Sequence, residues 1–199
     1  MADEQGSVTI IFCDICDFDT IVKEYQNTEM VGLLDHVFNA FDQLCEQRGL
    51  QKIETVGKTY MAAGGLKLQE ELFDQALVSK DPNWRMVEYA FDILNFVEKT
   101  RLKDGRQLKV KIGIHTGPCI SGVLGSHKPQ FSLIGDTVNT SSRVCAKGME
   151  NSIHISKVTH AALQKVTDIY TYQQRMTFMK GLGDQETYLV GKRRQVRAA

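Results

Sequence analysis

Two polar side chains in the stretch FSLIGDTVNTSSR are spaced so that they could act on one ligand. Asn139 and Arg143 are four positions apart, so on a helix they stack on the same face. A neutral amide beside a fork of guanidinium donors suits a sugar hydroxyl and a phosphate group. An isolated Asn-x-x-x-Arg pattern is more often an exposed polar helix face, so its meaning depends on the rest of the chain.

The stretch KIETVGKTYMAAGG places two charges around a tight turn. Apolar and polar residues alternate on both sides of Gly57, which predicts a hairpin of two short strands over about 50–66. Glu54 lies on the first strand and Lys58 lies in the turn. A turn lysine is usually a solvated charge. It becomes informative only if the chemistry of the site requires a carboxylate at its position.

Length and charge exclude several classes of protein. The chain has 199 residues, enough for one domain with a full core. Its formal net charge is zero, which removes the usual electrostatic argument for nucleic-acid or anionic-membrane binding. The basic cluster GKRRQVR is terminal, and a short basic tail is usually solvated. No apolar run approaches the roughly 20 residues needed to span a bilayer.

Cysteine usage indicates a reducing, intracellular setting. The five cysteines are an odd number, scattered in a chain long enough to fold without disulfides. Cys13 and Cys16 form a C-x-x-C pattern. Residues three apart in a strand face opposite sides of the sheet, so we do not expect these two to share a metal or act as a redox pair. We expect a cytoplasmic domain, which could belong to a larger membrane-bound protein.

Two long amphipathic helices are predicted between strands. The first spans about 28–48 with Thr28 as its cap, and the second spans about 84–103. The polar segment 67–83 between them is predicted to be a connecting loop with some helical character. The expected inner faces comprise Val31, Leu34, Phe38, Phe41 and Cys45 in the first helix and Val87, Phe91, Leu94 and Val97 in the second.

Strands and two shorter helices account for most of the remaining chain. Strands are predicted at 7–14, in LKVKIGIHTG, in CISGVLG after a turn at Gly117–Pro118, before Gly135, in IHIS and around MKGLGDQETYLV. Asp136 is expected to cap the helix after Gly135, and Ser156 a short helix through Val166. The β-α-β-β-α-β order with extra C-terminal strands is the ferredoxin-like pattern. We therefore expect an α/β (α+β) fold, a mostly antiparallel sheet with helices packed on one face.

Several of these stretches resemble the class III nucleotidyl cyclases, the adenylate and guanylate cyclases of eukaryotes. FSLIGDTVNTSSR resembles that family's strand-turn-helix, and VTIIFCDICDFDTI resembles its first strand and metal loop. KIETVGKTYMAAGGL resembles its central hairpin. KVKIGIHTGPCISGVLG and MKGLGDQETYLV resemble its later strands. The resemblance covers about residues 7–190, so we expect residues 1–199 to be a single cyclase catalytic domain excised from a longer chain.

The resemblance implies a head-to-tail dimer of catalytic domains with the nucleotide between them. The ribose 3′-hydroxyl attacks the α-phosphate and pyrophosphate leaves, while two divalent ions, Mg²⁺ or Mn²⁺, activate the hydroxyl and hold the phosphates. Two aspartates of one domain hold the ions. The opposite domain supplies a base-reading pair, an asparagine for the ribose, an arginine for the charge at phosphorus and a lysine for the terminal phosphates.

The resemblance can be carried over to this chain residue by residue. Asp14 matches the first metal aspartate, whereas Lys58 occupies the position of the second. Asn139 and Arg143 match the ribose and transition-state residues. Lys180 matches the phosphate-binding lysine.

Glu54 and Ser132 fall at the two base-reading positions, and their hydrogen-bonding groups favour guanine. A carboxylate can accept from guanine N1–H and from the exocyclic amine, and a hydroxyl can donate to O6. Adenine N1 would face Glu54 acceptor to acceptor, a mismatch that discriminates strongly. Guanylate members usually carry a cysteine where this chain has Ser132, and adenylate members carry a lysine and an aspartate at the pair.

Lys58 removes one metal carboxylate and adds a cation. Two unit charges about 4 Å apart repel by roughly 4 kcal/mol at an effective dielectric constant near 20, and a divalent ion about doubles this. We therefore expect Asp14 to hold metal only weakly, even if Lys58 swings into solvent.

The sequence thus predicts half of a guanylate cyclase, which supplies guanine, ribose and phosphate contacts for converting GTP into cyclic GMP and pyrophosphate. The two ions would be held mainly by a partner cyclase domain with both aspartates, in the same polypeptide or another. The isolated chain would have little activity, although it could pair with itself. Two alternatives stay open: a catalytically dead pseudo-cyclase used for dimerisation or regulation, and an adenylate cyclase half-domain.

Overall fold

A computed structural model describes residues 2–193, apart from the side chains of Leu68 and Gln69. Most of the basic cluster GKRRQVR lies outside the described residues. The strands are β1 (Ala2–Ile15), β2 (Gln51–Val56), β3 (Thr59–Gly64), β4 (Val110–Leu124), β5 (Gln130–Ile134), β6 (Ile153–Ser156), β7 (Tyr170–Met179) and β8 (Gly183–Lys192). The helices are α1 (Phe18–Glu24), α2 (Asn27–Gln47), α3 (Lys67–Glu70), α4 (Gln75–Val78), α5 (Pro82–Lys99), α6 (Asp136–Ala146) and α7 (Lys157–Val166). None of the helices in the described range combines the length and apolarity that a bilayer crossing requires.

The strands form one eight-stranded sheet in the order β2-β3-β1-β4-β6-β8-β7, with β5 paired to β4. Every pairing is antiparallel except the one between β4 and β6. The predicted α/β fold with a mostly antiparallel sheet is confirmed.

The larger core lies between one face of the sheet and four helices. Alternate residues of β1, such as Ile11 and Cys13, point into it because successive strand side chains face opposite sides. The helices contribute buried side chains from α1 (Ile21), α2 (Val37 and Phe41), α5 (Ile93) and α7 (Leu163).

Helix α6 packs on the opposite face, so the expectation that all helices share one face is wrong for this helix. Gly113 of β4 makes the close approach possible: a Cβ there would stand 2.1 Å from the backbone nitrogen of Cys145. Val138 of α6 packs on a second, smaller core that includes Val8 and Ile10 of β1.

The second core shows that one half of the sheet is curled. Its members come from β1, β3, β4 and β5, and Ile53 of β2 packs against it. Strands at the edge of a flat sheet could not all reach one small cluster, because neighbouring strands lie about 4.8 Å apart. The curl therefore brings β2 and β5 towards each other although β3, β1 and β4 separate them in the sheet order.

Several element boundaries differ from the sequence-based expectation. Helix α2 begins after Gln26, which forms a capping box with Glu29, so Thr28 is not the cap. Val31 is 67% exposed, and Met30 is buried in its place. Gly135, not Asp136, occupies the cap position of α6, because Asp136 already lies in the first helical turn.

The predicted turn at Gly117–Pro118 is absent, because β4 continues from Val110 to Leu124. Pro118 lies between the residues that pair with β6 (112–114) and those that pair with β5 (120–124). Because this strand position is paired on one side alone, it tolerates the missing proline N–H. Segment 67–83 contains the short helices α3 and α4, and Ser156 caps α7 by accepting from the Thr159 N–H, as predicted.

Candidate active site

The end of β1 and the β2–β3 turn meet at Asp14. Asp14 lies opposite Thr59 in the register of β1 and β3, and the Thr59 hydroxyl donates to Asp14 Oδ1 at 2.7 Å. The Ile15 N–H donates to the Lys58 carbonyl at 3.0 Å. These contacts hold the turn, and with it the exposed Lys58, beside Asp14.

A cavity of about 260 Å³ opens at this meeting point. Its charged lining consists of three carboxylates, from Asp14, Asp17 and Glu150, and two ammonium groups, from Lys58 and Lys111. Within residues 2–193, no three side chains of the His, Cys, Asp or Glu type are placed to hold a metal ion together. The donor set therefore does not fit the two divalent ions that the family resemblance implies.

Cys13 and Cys16 have different surroundings. Cys13 is buried in the larger core, whereas Cys16 lines the cavity beside Asp14. Burial raises the pKa of the Cys16 thiol to about 11. The raised pKa keeps the thiolate fraction of Cys16 low.

The base-reading candidates lie at the rim of the curled half of the sheet. Glu54 follows a bulge in β2, where the register with β3 shifts between Lys52 and Glu54. Its Oε2 accepts a hydrogen bond from Gln130 Nε2 of β5 at 3.1 Å. Ser132 lies two residues further along β5, on the same strand face as Gln130. The structure thus brings Glu54 to the strand face that carries Ser132.

Gln130 is a site residue that sequence reasoning missed. Its signal was available, since a residue two positions from Ser132 on a strand shares its face. What the sequence could not supply is the curl of the sheet that carries β5 across to β2.

Helix α6 presents Asn139 and Arg143, as the spacing predicted. Gly135 starts the helix with a φ of 139°, a conformation that favours glycine. The Thr137 hydroxyl donates to the Pro118 carbonyl at 2.6 Å and fixes the first turn on β4. Asn139 is exposed and Arg143 is half-buried, so both amide and guanidinium remain available to a ligand.

The Arg143 side chain reaches the β7–β8 turn that carries Lys180. A Cβ built on Gly181 would lie 4.0 Å from Arg143 Nη2. Lys180 is exposed next to this glycine. The Arg143 guanidinium therefore lies near the turn residue that follows Lys180.

One helix links the separate parts of the candidate site. The first turn of α6 is fixed on β4 near β5, and Ala146 at its last turn lines the cavity of Asp14 and Lys58. Asn139 and Arg143 therefore lie on a helix that runs from the neighbourhood of β5 to the cavity of Asp14 and Lys58.

Comparisons with known proteins identify the family of this chain. The family model described as adenylate and guanylate cyclase catalytic domain matches residues 1–192. Guanylyl cyclase C of Rattus norvegicus is 36% identical over 184 residues, which cover 91% of this chain and 16% of that protein. Guanylate cyclase beta of Plasmodium falciparum is 34% identical over 94% of this chain and 6% of its own length. The chain thus spans a small part of the length of these relatives.

Solved structures give the same result. The guanylate cyclase domain of RhGC from Catenaria anguillulae, in complex with GTP, matches with a TM-score of 0.84 and 31% identity over 96% of this chain and 99% of that one. The dimeric guanylyl cyclase domain of the RhoGC fusion protein from Blastocladiella emersonii matches with a TM-score of 0.81 and 29% identity, over 96% and 99% of the two chains. From its fold, its site and these relatives, the chain belongs to the adenylate and guanylate cyclase catalytic domain family, the class III nucleotidyl cyclases.

Proposed function

We propose that this chain is the base-reading half of a guanylate cyclase and acts when paired with a cyclase domain that holds the metal ions. The observation that carries the proposal is the contrast within one site. Lys58 stands at the position of the family's second metal aspartate, and it lines the cavity of Asp14 together with Lys111. Asn139, Arg143 and Lys180 are nevertheless presented to a ligand.

Each residue of this chain has a definite task in the proposed reaction. Glu54 accepts from guanine N1–H and the exocyclic amine, and the Ser132 hydroxyl donates to O6. Asn139 orients the ribose so that its 3′-hydroxyl faces the α-phosphate. Arg143 stabilises the negative charge that develops at phosphorus, and Lys180 binds the terminal phosphates. The partner domain would hold Mg²⁺ or Mn²⁺ with its two aspartates.

GTP is the proposed substrate for two reasons. Glu54 presents acceptors where adenine N1 would also present one, and unmatched polar groups at a base disfavour binding. The relatives named above are guanylyl or guanylate cyclases, and the matching RhGC domain was solved with GTP. A product mixture dominated by cyclic AMP would favour the adenylate alternative.

A second candidate is a pseudo-cyclase, a domain that pairs and regulates without contributing to catalysis. The two lysines in the cavity of Asp14 favour it. It gives no role to Arg143, whose Nη2 lies near Gly181 in the β7–β8 turn, or to the exposed Lys180 next to that glycine.

A reducing, cytoplasmic setting is part of the proposal. All five cysteines are free, and four of them are buried. Burial raises the pKa of the Cys45 thiol to about 12. Oxidants therefore reach this thiol poorly, and little of it is in the reactive thiolate form.

A complementation assay tests the proposed function. The partner is a cyclase catalytic domain with both metal aspartates whose own transition-state arginine is replaced by alanine, so that only Arg143 of this chain can complete a site. Cyclic GMP formation from GTP with Mg²⁺ or Mn²⁺ is measured for each chain alone and for the mixture, with ATP in a parallel arm. We expect little activity from either chain alone and turnover of GTP in the mixture.

The possible outcomes separate the candidates. Substantial activity of the isolated chain would refute the half-site. A mixture that forms a heterodimer yet turns over neither nucleotide would support the pseudo-cyclase instead.

A further inference from the structure

Exposed apolar side chains lie next to exposed cations at the tips of two hairpins. Val56 is 64% exposed and precedes the turn that carries the exposed Lys58 of the β2–β3 hairpin. In the β7–β8 hairpin, Phe178 is 62% exposed and Leu182 is 41% exposed on either side of the exposed Lys180. Apolar surface rimmed by polar groups marks sites of protein–protein contact. Both tips are therefore candidate contact surfaces for a second domain.

The cations at these tips are not neutralised by neighbouring carboxylates. Among the residues that the structure describes, no ion pair includes Lys58, Lys180 or Arg143, the arginine that reaches the β7–β8 turn. The backbone of Lys58 is held in place, because the Ile15 N–H donates to its carbonyl at 3.0 Å. Each tip therefore presents local positive charge, although the formal net charge of the whole chain is zero.

We propose that Lys58 disfavours the pairing of this chain with itself and thereby selects a partner domain whose corresponding turn is acidic. This inference rests on the proposed function, in which the metal-holding turn of one domain and Arg143 and Lys180 of the other complete one site. A two-fold pair of identical chains makes each contact twice. In such a pair, Lys58 of each copy would oppose Arg143 and Lys180 of the other copy.

A partner with aspartates in its turn reverses the sign of this contact. Before metal binds, its carboxylates would face Arg143 and Lys180 of this chain, and opposite charges attract. The apolar side chains of the two tips favour burial against any copy of the domain, so they do not discriminate between partners. The charge of the turn then separates self-pairing from mixed pairing, because specificity is a difference between two affinities.

A nonspecific effect of surface charge is the competing explanation. If only the net charge of the chain mattered, reversing a second lysine would change self-association in the same direction whatever residue stood at position 58. The proposed contact predicts instead that the effect of a carboxylate at position 180 changes sign. It would attract Lys58 of the other copy, but it would repel a glutamate placed there.

The experiment measures the dissociation constant of self-association by sedimentation equilibrium, without nucleotide or metal ions, in about 50 mM and about 500 mM salt. The natural chain is compared with Lys58→Glu, Lys180→Glu and the double variant. Lys165→Glu, the same charge reversal at an exposed lysine of α7, is the matched control. The mixed pair of the natural chain and the metal-bearing partner is measured in the same way, and its cyclic GMP formation is assayed separately with GTP and metal ions.

At low salt, Lys58→Glu should tighten self-association by about tenfold, because an exposed charge contact changes from repulsive to attractive at two sites. Lys180→Glu should tighten it by about threefold in the natural chain and loosen it by about threefold in the Lys58→Glu chain. Higher salt should shrink these differences, since exposed charges are screened. Lys165→Glu should leave the dissociation constant unchanged. The natural chain should bind the metal-bearing partner about tenfold more tightly than it binds itself.

Three results would overturn the inference on Lys58. The first is an equal dissociation constant for Lys58→Glu and the natural chain, and the second is a Lys180→Glu effect of the same sign in both backgrounds. The third is the absence of self-association in every variant, because the reversed turn is expected to create a pair. If circular dichroism shows that Lys58→Glu does not fold, Lys180→Glu in the natural chain decides, and a failure to tighten self-association refutes the contact.

Cyclic GMP formation separates this inference from the proposed function. Turnover in the mixture without coupling between positions 58 and 180 would refute the role of Lys58 in pairing and leave the half-site intact. Coupling without turnover would refute the half-site and leave the role of Lys58 in pairing intact.

Discussion

The two ends of the β2–β3 hairpin carry side chains of opposite charge. At the strand end, the Glu54 carboxylate accepts a hydrogen bond from Gln130 of β5. At the turn end, Lys58 lies beside Asp14 in a cavity that contains a second lysine, Lys111. The proposed function assigns the first end to the base and the second to a degenerate metal position.

The comparison concerns two groups of candidate residues that lie on different elements. The candidate residues for base, ribose and phosphate lie on β2, β5, α6 and the β7–β8 turn, whereas Asp14 and Lys58 lie at the end of β1 and in the hairpin turn. Under the proposed function, Lys58 would weaken metal binding in that turn, and a second domain would supply the metal aspartates.

Replacing Arg143 should have the largest effect. In the complementing mixture, Arg143→Ala should lower kcat by about 10²–10³, because one donor to the transition-state charge contributes that much in comparable sites. Asp14→Ala in this chain should change kcat by less than about twofold, since loss of a group remote from the reacting atoms is a small effect. Arg101→Ala, an exposed arginine after α5, is the control. A similar loss from Asp14→Ala would show that the metal end of this chain takes part.

Restoring a carboxylate in the turn should produce the next largest effect. Lys58→Asp removes the cation beside Asp14 and supplies the second ligand, so the isolated chain should gain Mg²⁺- or Mn²⁺-dependent GTP turnover by about 10²-fold as a homodimer. Lys58→Ala is the matched control, because it removes the cation without adding a ligand and should gain far less. If neither variant gains activity, Lys111 or the cavity shape also prevents metal binding, and the contrast would not rest on Lys58 alone.

Exchanging the base readers tests the other end of the hairpin. Glu54→Lys with Ser132→Asp should shift the ratio of kcat/KM values for ATP and GTP by about 30-fold towards ATP, because matched and mismatched polar groups exchange places. Each single substitution should lower activity with GTP without creating a preference for ATP. An unchanged ratio in the double variant would refute the assignment of Glu54 and Ser132 to the base.

The local features of this site were predictable from sequence, and the tertiary ones were not. The hairpin around Gly57 and the shared helix face of Asn139 and Arg143 follow from alternation and from spacing. The predicted buried stripe of α2 is wrong at Val31, because Met30 and Val31 fit a helical periodicity equally well and only packing against the sheet distinguishes them. The turn predicted at Gly117–Pro118 is wrong as well, because β4 continues through Pro118 and pairs there with Ser7 of β1.

The contact between Gln130 and Glu54 illustrates the limit of sequence reasoning. It joins residues 76 positions apart. Its formation depends on the curl of five strands around a small core, a property that no local pattern encodes.

The smallest expected effect concerns His154, which lies beneath α6. Its Nδ1 is 2.7 Å from the Val144 carbonyl, so it must donate there, and its Nε2 then accepts from the Thr187 hydroxyl at 2.8 Å. Burial is the main cause that lowers the pKa of His154. The hydrogen bond to the Val144 carbonyl opposes this shift, and the nearby Arg175 lowers the pKa further. Burial also lowers the pKa of His115. The neutral form of each imidazole is therefore the one that the fold accommodates.

Acidic pH should destabilise the folded chain, because it protonates these two histidines. Because their pKa values are lower in the folded chain, the unfolded chain binds more protons in the window below the ordinary histidine pKa of about 6.5. The free energy of unfolding, measured by urea denaturation, should be constant above that pH and fall below it, by at most about 1.4 kcal/mol per pH unit for each histidine. His154→Gln should reduce this slope, whereas His127→Gln, at an exposed position between β4 and β5, should not. A slope that survives His154→Gln unchanged would place the proton uptake elsewhere. Loss of GTP turnover in parallel with the loss of stability would show that the candidate nucleotide contacts depend on this buried support.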